Sequence, residues 1–299
     1  MIVLPNSLRI GVLRGGVSSE YNDSLKSGAN ALKYFGETHR PVDIFISRDG
    51  KWIVGGVEKS PERVLKNVDV IWNALHGSFG EDGGIQELLY HHGVPFTGSD
   101  KFTTAVYGNK WLTKERAVGL GIRTPVYMIV RKESSILDKA KEIWNSIIHP
   151  MIIKPATGRS GGLLFKVDSF PELVTALESV LSQYEGALVE EYISGQDVSC
   201  FITDDFRGQD TYAFPPTENL SRQETIEVED TAKSIHEALG LRHYSKSDFV
   251  VSPRRGVYFL EVNTVPKLND ETLMNKSFQK VGVPTKELLH HMIGLALDR

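Results

Sequence analysis

The sequence predicts an α/β (α+β) fold. Apolar strand-like runs alternate with amphipathic helical stretches through the amino-terminal part, the pattern of an open parallel layer. The 299 residues are 40% hydrophobic and 24% charged, an ordinary globular composition with room for two or three domains of about 100–150 residues each. Near the carboxyl end, Lys246–Asn263 reads KSDFVVSPRRGVYFLEVN, two strand-like runs around a turn.

In order, Leu8–Arg14 is an apolar strand ending in Gly15-Gly16. The glycine pair lacks the G-x-G-x-x-G spacing and reads as a tight strand-to-helix turn. A helix follows from about Asp23, with Leu25, Ala29, Leu32 and Phe35 at helical spacing. Pro41–Ser47 and Lys51–Val54 are strands around Asp49-Gly50, Ser60-Pro61 opens a helix, and Val68–Leu75 is a third apolar strand. Ligands of such layers bind beyond the carboxyl ends of the strands. Glu20 and His76 both lie just past a strand end and are expected to face one crevice. His76–Asp82 (HGSFGED) with Gly83-Gly84 reads as a shaped loop. His76 is either a ligand-facing residue or a support for that loop.

Ile85–His92 is helical, and a further helical region carries Asn109-Lys110. After a break at Gly119–Pro125, Val126–Arg131 is a strand and Ser135–Ser146 a helix. Met151–Lys154 is a strand ending at Pro155, followed by ATGRSGG and a strand, Leu163–Val167. Loop N–H groups beside Lys154 could cradle phosphate oxygens, although a plain hairpin tip reads the same way and the loop is not a P-loop. A helix over Pro171–Tyr184 leads to strands Ala187–Glu191 and Val198–Thr203, with a hinge whose backbone at Glu191 and Ile193 could read an adenine edge. Glu224–Leu239, Lys276–Val281 and Thr285–Leu297 are helices.

For the hairpin, a four-residue loop Pro253–Gly256 sets Ser252 opposite Val257, Val250 opposite Phe259, Asp248 opposite Glu261 and Lys246 opposite Asn263. Facing carboxylates repel, and a divalent cation would turn that repulsion into binding. Asp, Glu and Asn are hard oxygen donors suited to Mg²⁺, whose shell is commonly completed by water and nucleotide phosphate. The bland alternative is a solvated acidic hairpin face. The expected site is therefore one for Mg²⁺ and a nucleotide.

The formal net charge is −4, and no Lys/Arg run stands out, so nucleic-acid binding is not expected. Cys200 is the sole cysteine, which excludes an internal disulfide and suits a cytoplasmic protein. The first residues lack a signal-peptide pattern, and no apolar run reaches the ~20 residues of a membrane span.

Together GVLRGGVSSE, HGSFGEDGGIQELL, GVPFTGS, IIKP, VEEYISGQD and the pair SDF and FLEVNTVP resemble the D-alanine–D-alanine ligases of the ATP-grasp superfamily, in order and over nearly the whole chain. The resemblance implies a three-domain ATP-grasp architecture, with domains 1–109, 110–189 and 190–299, the last two gripping ATP. It also implies an ATP-dependent ligase that joins two D-alanines through an acyl phosphate for peptidoglycan. It places Mg²⁺, as two ions, or Mn²⁺ on Asp248, Glu261 and Asn263. Lys110, Lys154, Glu190, Glu191, Ile193 and Asp197 fall at its ATP site. Glu20, His76, Thr272 and Leu273 fall near the D-alanines, and Glu20, Ser160 and Lys246 at its reacting centre. A homodimer built on the amino-terminal domain is implied too.

Three departures stand out. Lys246 replaces an arginine, Lys267 replaces a glycine, and the connector from Phe214 to Glu224 is too short for the family's closing loop. Two alternatives follow: a ligase of the same chemistry for other amino acids, or a nucleotide-binding protein without ligase activity.

Overall fold

The computed structural model describes residues 4–5, 7–133, 135–158, 163–267 and 273–298. The chain divides into two compact units. One holds residues 1–105, 199–247 and 263–299, the other residues 106–198 and 248–262.

In the first unit, β1 (Arg9–Gly15), β2 (Arg40–Ile46), β3 (Trp52–Val54), β4 (Val57–Glu58) and β5 (Val70–Asn73) form a sheet of order β4-β3-β2-β1-β5. β1 runs parallel to both β2 and β5, and β3 and β4 add antiparallel strands at one edge. The expected parallel layer is therefore its centre. One face packs Ile10, Val12 and Trp72 against Phe35 of helix Tyr21–Phe35 and Met292 of helix Thr285–Leu297. The other packs Leu13, Ile44 and Ile46 against Val64 and Leu89. With both faces covered, the strands read as continuous apolar runs. Gly15 has φ +95°, and a Cβ there would lie 2.2 Å from the Ile46 carbonyl oxygen. Only glycine makes this exit from β1.

The second unit contains β6 (Tyr127–Arg131), β7 (Met151–Pro155), β8 (Phe165–Val167) and β9 (Gly186–Glu191), in the order β6-β9-β7-β8 with antiparallel pairs. Helices Ile136–Ser146 and Phe170–Leu181 bury Ile143, Leu173 and Leu177 against Val130, Met151 and Val189.

A third sheet has the order β11-β10-β12-β13, from β10 (Gln196–Phe206), β11 (Gln209–Phe214), β12 (Tyr244–Ser252) and β13 (Gly256–Asn263). β10 and β11 form a hairpin with Phe201 opposite Phe214. After β11, Ser277 donates to the Pro215 carbonyl and Lys280 to the Pro216 carbonyl. Ser221 and Glu224 then cap helix Arg222–Ala238 reciprocally. The short connector is thus tied down along its length.

The β12–β13 hairpin forms where the sequence expects it, its strands neighbours in the third sheet. Its turn is Pro253–Arg255, and Gly256, with φ +82°, begins β13. Val250 packs with Tyr258 and Ile193, with Leu260 against them. The Phe249 and Phe259 rings meet edge to face at 5.8 Å. No helix among the described residues is long and apolar enough to cross a membrane.

Candidate active site

The second unit holds a dense charge cluster. Asn109 caps helix Lys110–Gly119, its side chain accepting from the Trp111 and Leu112 N–H groups. This fixes the first turn and sets Lys110 and Lys114 one turn apart on one face. Lys154 stands on β7, and Glu190 on the neighbouring β9. The Lys154 ammonium lies 2.7 Å from Glu190 Oε2 and 3.7 Å from Glu261 Oε2. Lys110 Nζ lies 3.8 Å from the same Glu261 oxygen and also donates to the Gly158 carbonyl. Lys114, fully buried, donates to Glu190 and to the Thr124 hydroxyl.

Burial and charge compete here. Burial alone would raise the Glu190 carboxyl, but Lys114 and Lys154 together hold it below its ordinary range. Burial works to lower the Lys154 ammonium, yet Glu190 and Glu261 outweigh it and keep it raised. For Lys114 burial wins, aided by Lys154, and its pKa is lowered despite Glu190. Three lysines against two carboxylates leave the cluster one positive charge in excess when all are ionised, an arrangement suited to a polyanion.

Lys114 is the residue that sequence reasoning missed. A lysine on a helix reads as a solvated one, and only its four-residue spacing from Lys110 could have flagged it. Glu191, expected near adenine, uses its carboxylate elsewhere. Oε2 accepts from Arg255 Nη1 at 2.8 Å and Oε1 from Arg255 Nη2 and the Val126 N–H, both at 3.1 Å. Its N–H donates to the Val126 carbonyl at 2.9 Å. Ile193 is buried against Val250 and Tyr258, and Asp197 is exposed near the start of β10. Asp248 and Glu261 are half-buried.

In the first unit, the crevice in which such a layer takes its ligands is expected at the carboxyl ends of the parallel strands. The strand order reverses beside β1, so the segments after β1 and β5 flank the switch point. Ser18 and Glu20 follow β1, and His76 follows β5. The Ser18 hydroxyl donates to the His76 carbonyl at 2.7 Å. The His76 ring meets the Ser27 hydroxyl at 2.8 Å through Nε2 and the Val265 carbonyl at 3.1 Å through Nδ1. Ser18 links the two segments, since its hydroxyl also accepts from the Glu20 N–H at 3.3 Å. Lys267, two residues beyond Val265, places its ammonium 3.4 Å from Glu20 Oε1 and pairs with Asp23. That bond holds the Asp23 carboxyl below its ordinary range.

Lys246 and Asn263 are half-buried, at the first unit's ends of β12 and β13. Ser160 and Thr272 lie outside the described residues, and Leu273 begins helix Leu273–Lys280.

This combination of sheets is the ATP-grasp fold. A solved D-alanine–D-alanine ligase from Bacillus anthracis, in complex with ATP, matches with a TM-score of 0.79 and 25% identity, covering 98% of each chain. A D-alanine–D-alanine ligase from Aquifex aeolicus is 30% identical over 96% of this chain and all of its own length. The vancomycin/teicoplanin A-type resistance protein VanA from Enterococcus faecium is 27% identical, covering 98% of this chain and 99% of its own. The D-ala D-ala ligase N-terminus family matches residues 55–99, and the C-terminus family residues 117–213 and 206–294. The chain belongs to the D-alanine–D-alanine ligase family, a family of ATP-dependent carboxylate–amine ligases.

Proposed function

We propose that the protein joins two D-alanines to D-alanyl-D-alanine, for peptidoglycan synthesis in the cytoplasm, through an acyl phosphate. The observation that carries this is the convergence of Lys110 and Lys154 on one oxygen of Glu261 in a chain of this family. Two ammoniums aimed at one point suit the phosphates of ATP. Glu190 and the buried Lys114 hold Lys154 in place.

A carboxylate oxygen of the first D-alanine attacks the γ-phosphorus, its bond to the bridging oxygen breaks, and ADP leaves. The amine of the second D-alanine attacks the acyl carbon and loses a proton. The C–O bond then breaks and phosphate departs with the former carboxylate oxygen. Lys110 and Lys154 offset charge on the transferring group. Glu20 receives the ammonium of the first D-alanine, and His76 orders the crevice floor. The resemblance adds Lys246 and Ser160 at the reacting carbon and Thr272 and Leu273 at the second carboxylate.

Asp248, Glu261 and Asn263 would hold Mg²⁺, which supplies charge neutralisation at the phosphates. The donors fit a magnesium ion. All are hard oxygens, and Glu261 already borders the lysine cluster. An ion held by so few protein oxygens would complete its shell with phosphate and water. On this reading residues 1–109 carry the first amino acid, 110–189 and 190–299 grip the nucleotide, and two copies pair through their amino-terminal parts.

A second reading keeps the chemistry and changes the amino acids. The Lys267 ammonium beside Glu20 favours it. Phosphate release with ATP, Mg²⁺ and a panel of D- and L-amino acids separates the two. D-Alanine is expected to be the best substrate. Turnover of other amino acids with none of D-alanine would replace the first reading with the second.

A further inference from the structure

The crevice of the first unit has two carboxylates at its mouth. Glu20 stands at the cap position of helix Tyr21–Phe35 and Asp23 in its first turn. Left alone, that pair would attract two positive charges. One is already present. The segment after β13 is fixed by the Val265 carbonyl on His76, and two residues on, the Lys267 ammonium spans Asp23 and Glu20. Its side chain is 33% exposed, against 12% for Glu20 and 39% for Asp23. The cation therefore belongs to the crevice rather than to open solvent. The floor leaves little slack, since a Cβ on Gly77 would come within 3.1 Å of Glu20 Oε2 and of the Ser18 hydroxyl.

We propose that Lys267 is a specificity-determining residue, a resident second cation that makes this crevice take amino acids carrying a single ammonium. Glu20, Asp23 and Lys267 together sum to one negative charge, the complement of one α-ammonium. The first substrate is then a small amino acid with an uncharged side chain. A diamino acid brings a second ammonium that Lys267 repels and for which no carboxylate of the pair is left over. This rests on the reading of Glu20 as the receiver of the substrate ammonium, and it names the substrate class that follows.

The test compares dissociation constants of D-alanine and D-2,4-diaminobutyrate by titration calorimetry on the full chain. Lys267→Met should shift the ratio toward the diamino acid by about fivefold, the scale of one partly exposed ion pair. Lys267→Arg keeps the charge and should keep the wild-type ratio. The double variant Asp23→Asn/Lys267→Met restores the net charge and should return the ratio to wild type. An unchanged ratio in Lys267→Met, or no return in the double variant, overturns the proposal. A Lys267→Met protein that fails to fold is replaced by Lys267→Gln, judged by the same ratio. Dipeptide synthesis is assayed alongside. Failure of the ligase reading shows as absent dipeptide, whereas failure of the Lys267 role shows as an unmoved ratio while dipeptide is still made.

Discussion

The lysine cluster of the second unit and the crevice of the first use the same pair of groups, ammonium and carboxylate, in opposite surroundings. Lys114, Lys154 and Glu190 are at most 5% exposed, whereas Lys267 and Asp23 are about a third exposed. In the dry cluster each charge depends on its neighbours, because losing one partner leaves another unpaired where water cannot replace it. In the wet crevice, solvent compensates and a lost partner changes affinity more than folding. Burial, not residue type, decides whether such a pair holds the protein together or tunes what it binds.

Substitutions at three residues follow in falling order of effect, two in the dry cluster and one at the half-buried Asp204. Lys154→Ala should cut turnover by about 10²–10³-fold, as expected for loss of a positioned charge at a transferring group, read from initial rates of ADP formation. A loss under fivefold would remove Lys154 from the phosphate site. Lys114→Met should cost about 3 kcal/mol of stability, the low end for breaking a buried pair because Lys154 still partners Glu190. Denaturant melts read that loss, and the KM for ATP should rise with it as Glu190, no longer anchored by Lys114, holds Lys154 less firmly. Lys114→Arg, which keeps the charge, should recover the larger part. A Lys114→Met protein as stable as wild type would contradict the dry-cluster account.

The smallest effect belongs to Asp204, which accepts from the His236 ring at 2.9 Å and the His243 N–H at 2.7 Å. Burial alone would raise its carboxyl, but these bonds more than reverse that and hold it depressed. A depressed folded pKa means stability present above the unfolded value of about 3.9 and lost as pH falls through the lower folded one. Asp204→Asn should therefore cost about 1 kcal/mol at pH 7, a difference that closes below about pH 4. Melts at pH 7 and pH 3 measure it, and a constant difference would sink the assignment.

Much of this was legible in the sequence because it rests on local chemistry. Ser60-Pro61, Gly15-Gly16 and the apolar strand runs mark their elements without tertiary help. The β10–β11 hairpin was only half seen. Gln209–Phe214 starts with polar residues, and its strand character comes from pairing with β10. The β12–β13 hairpin was legible from its two apolar runs around Pro253–Gly256, and the structure forms both strands. Lys114 escaped for a different reason, since it differs from a surface lysine only in what packs over it. Lys267 stood out as a departure, but its partner Asp23 lies 244 positions away in the sequence. Periodicity carries no information on either.

The central claim is ligation through an acyl phosphate, and isotope transfer tests it most directly. D-Alanine labelled with ¹⁸O in its carboxylate is incubated with ATP, Mg²⁺ and the protein, and the released phosphate and dipeptide are analysed by mass spectrometry. One ¹⁸O atom should appear in phosphate for each D-alanyl-D-alanine formed. Phosphate released without label, or ADP formed without dipeptide, would contradict the account.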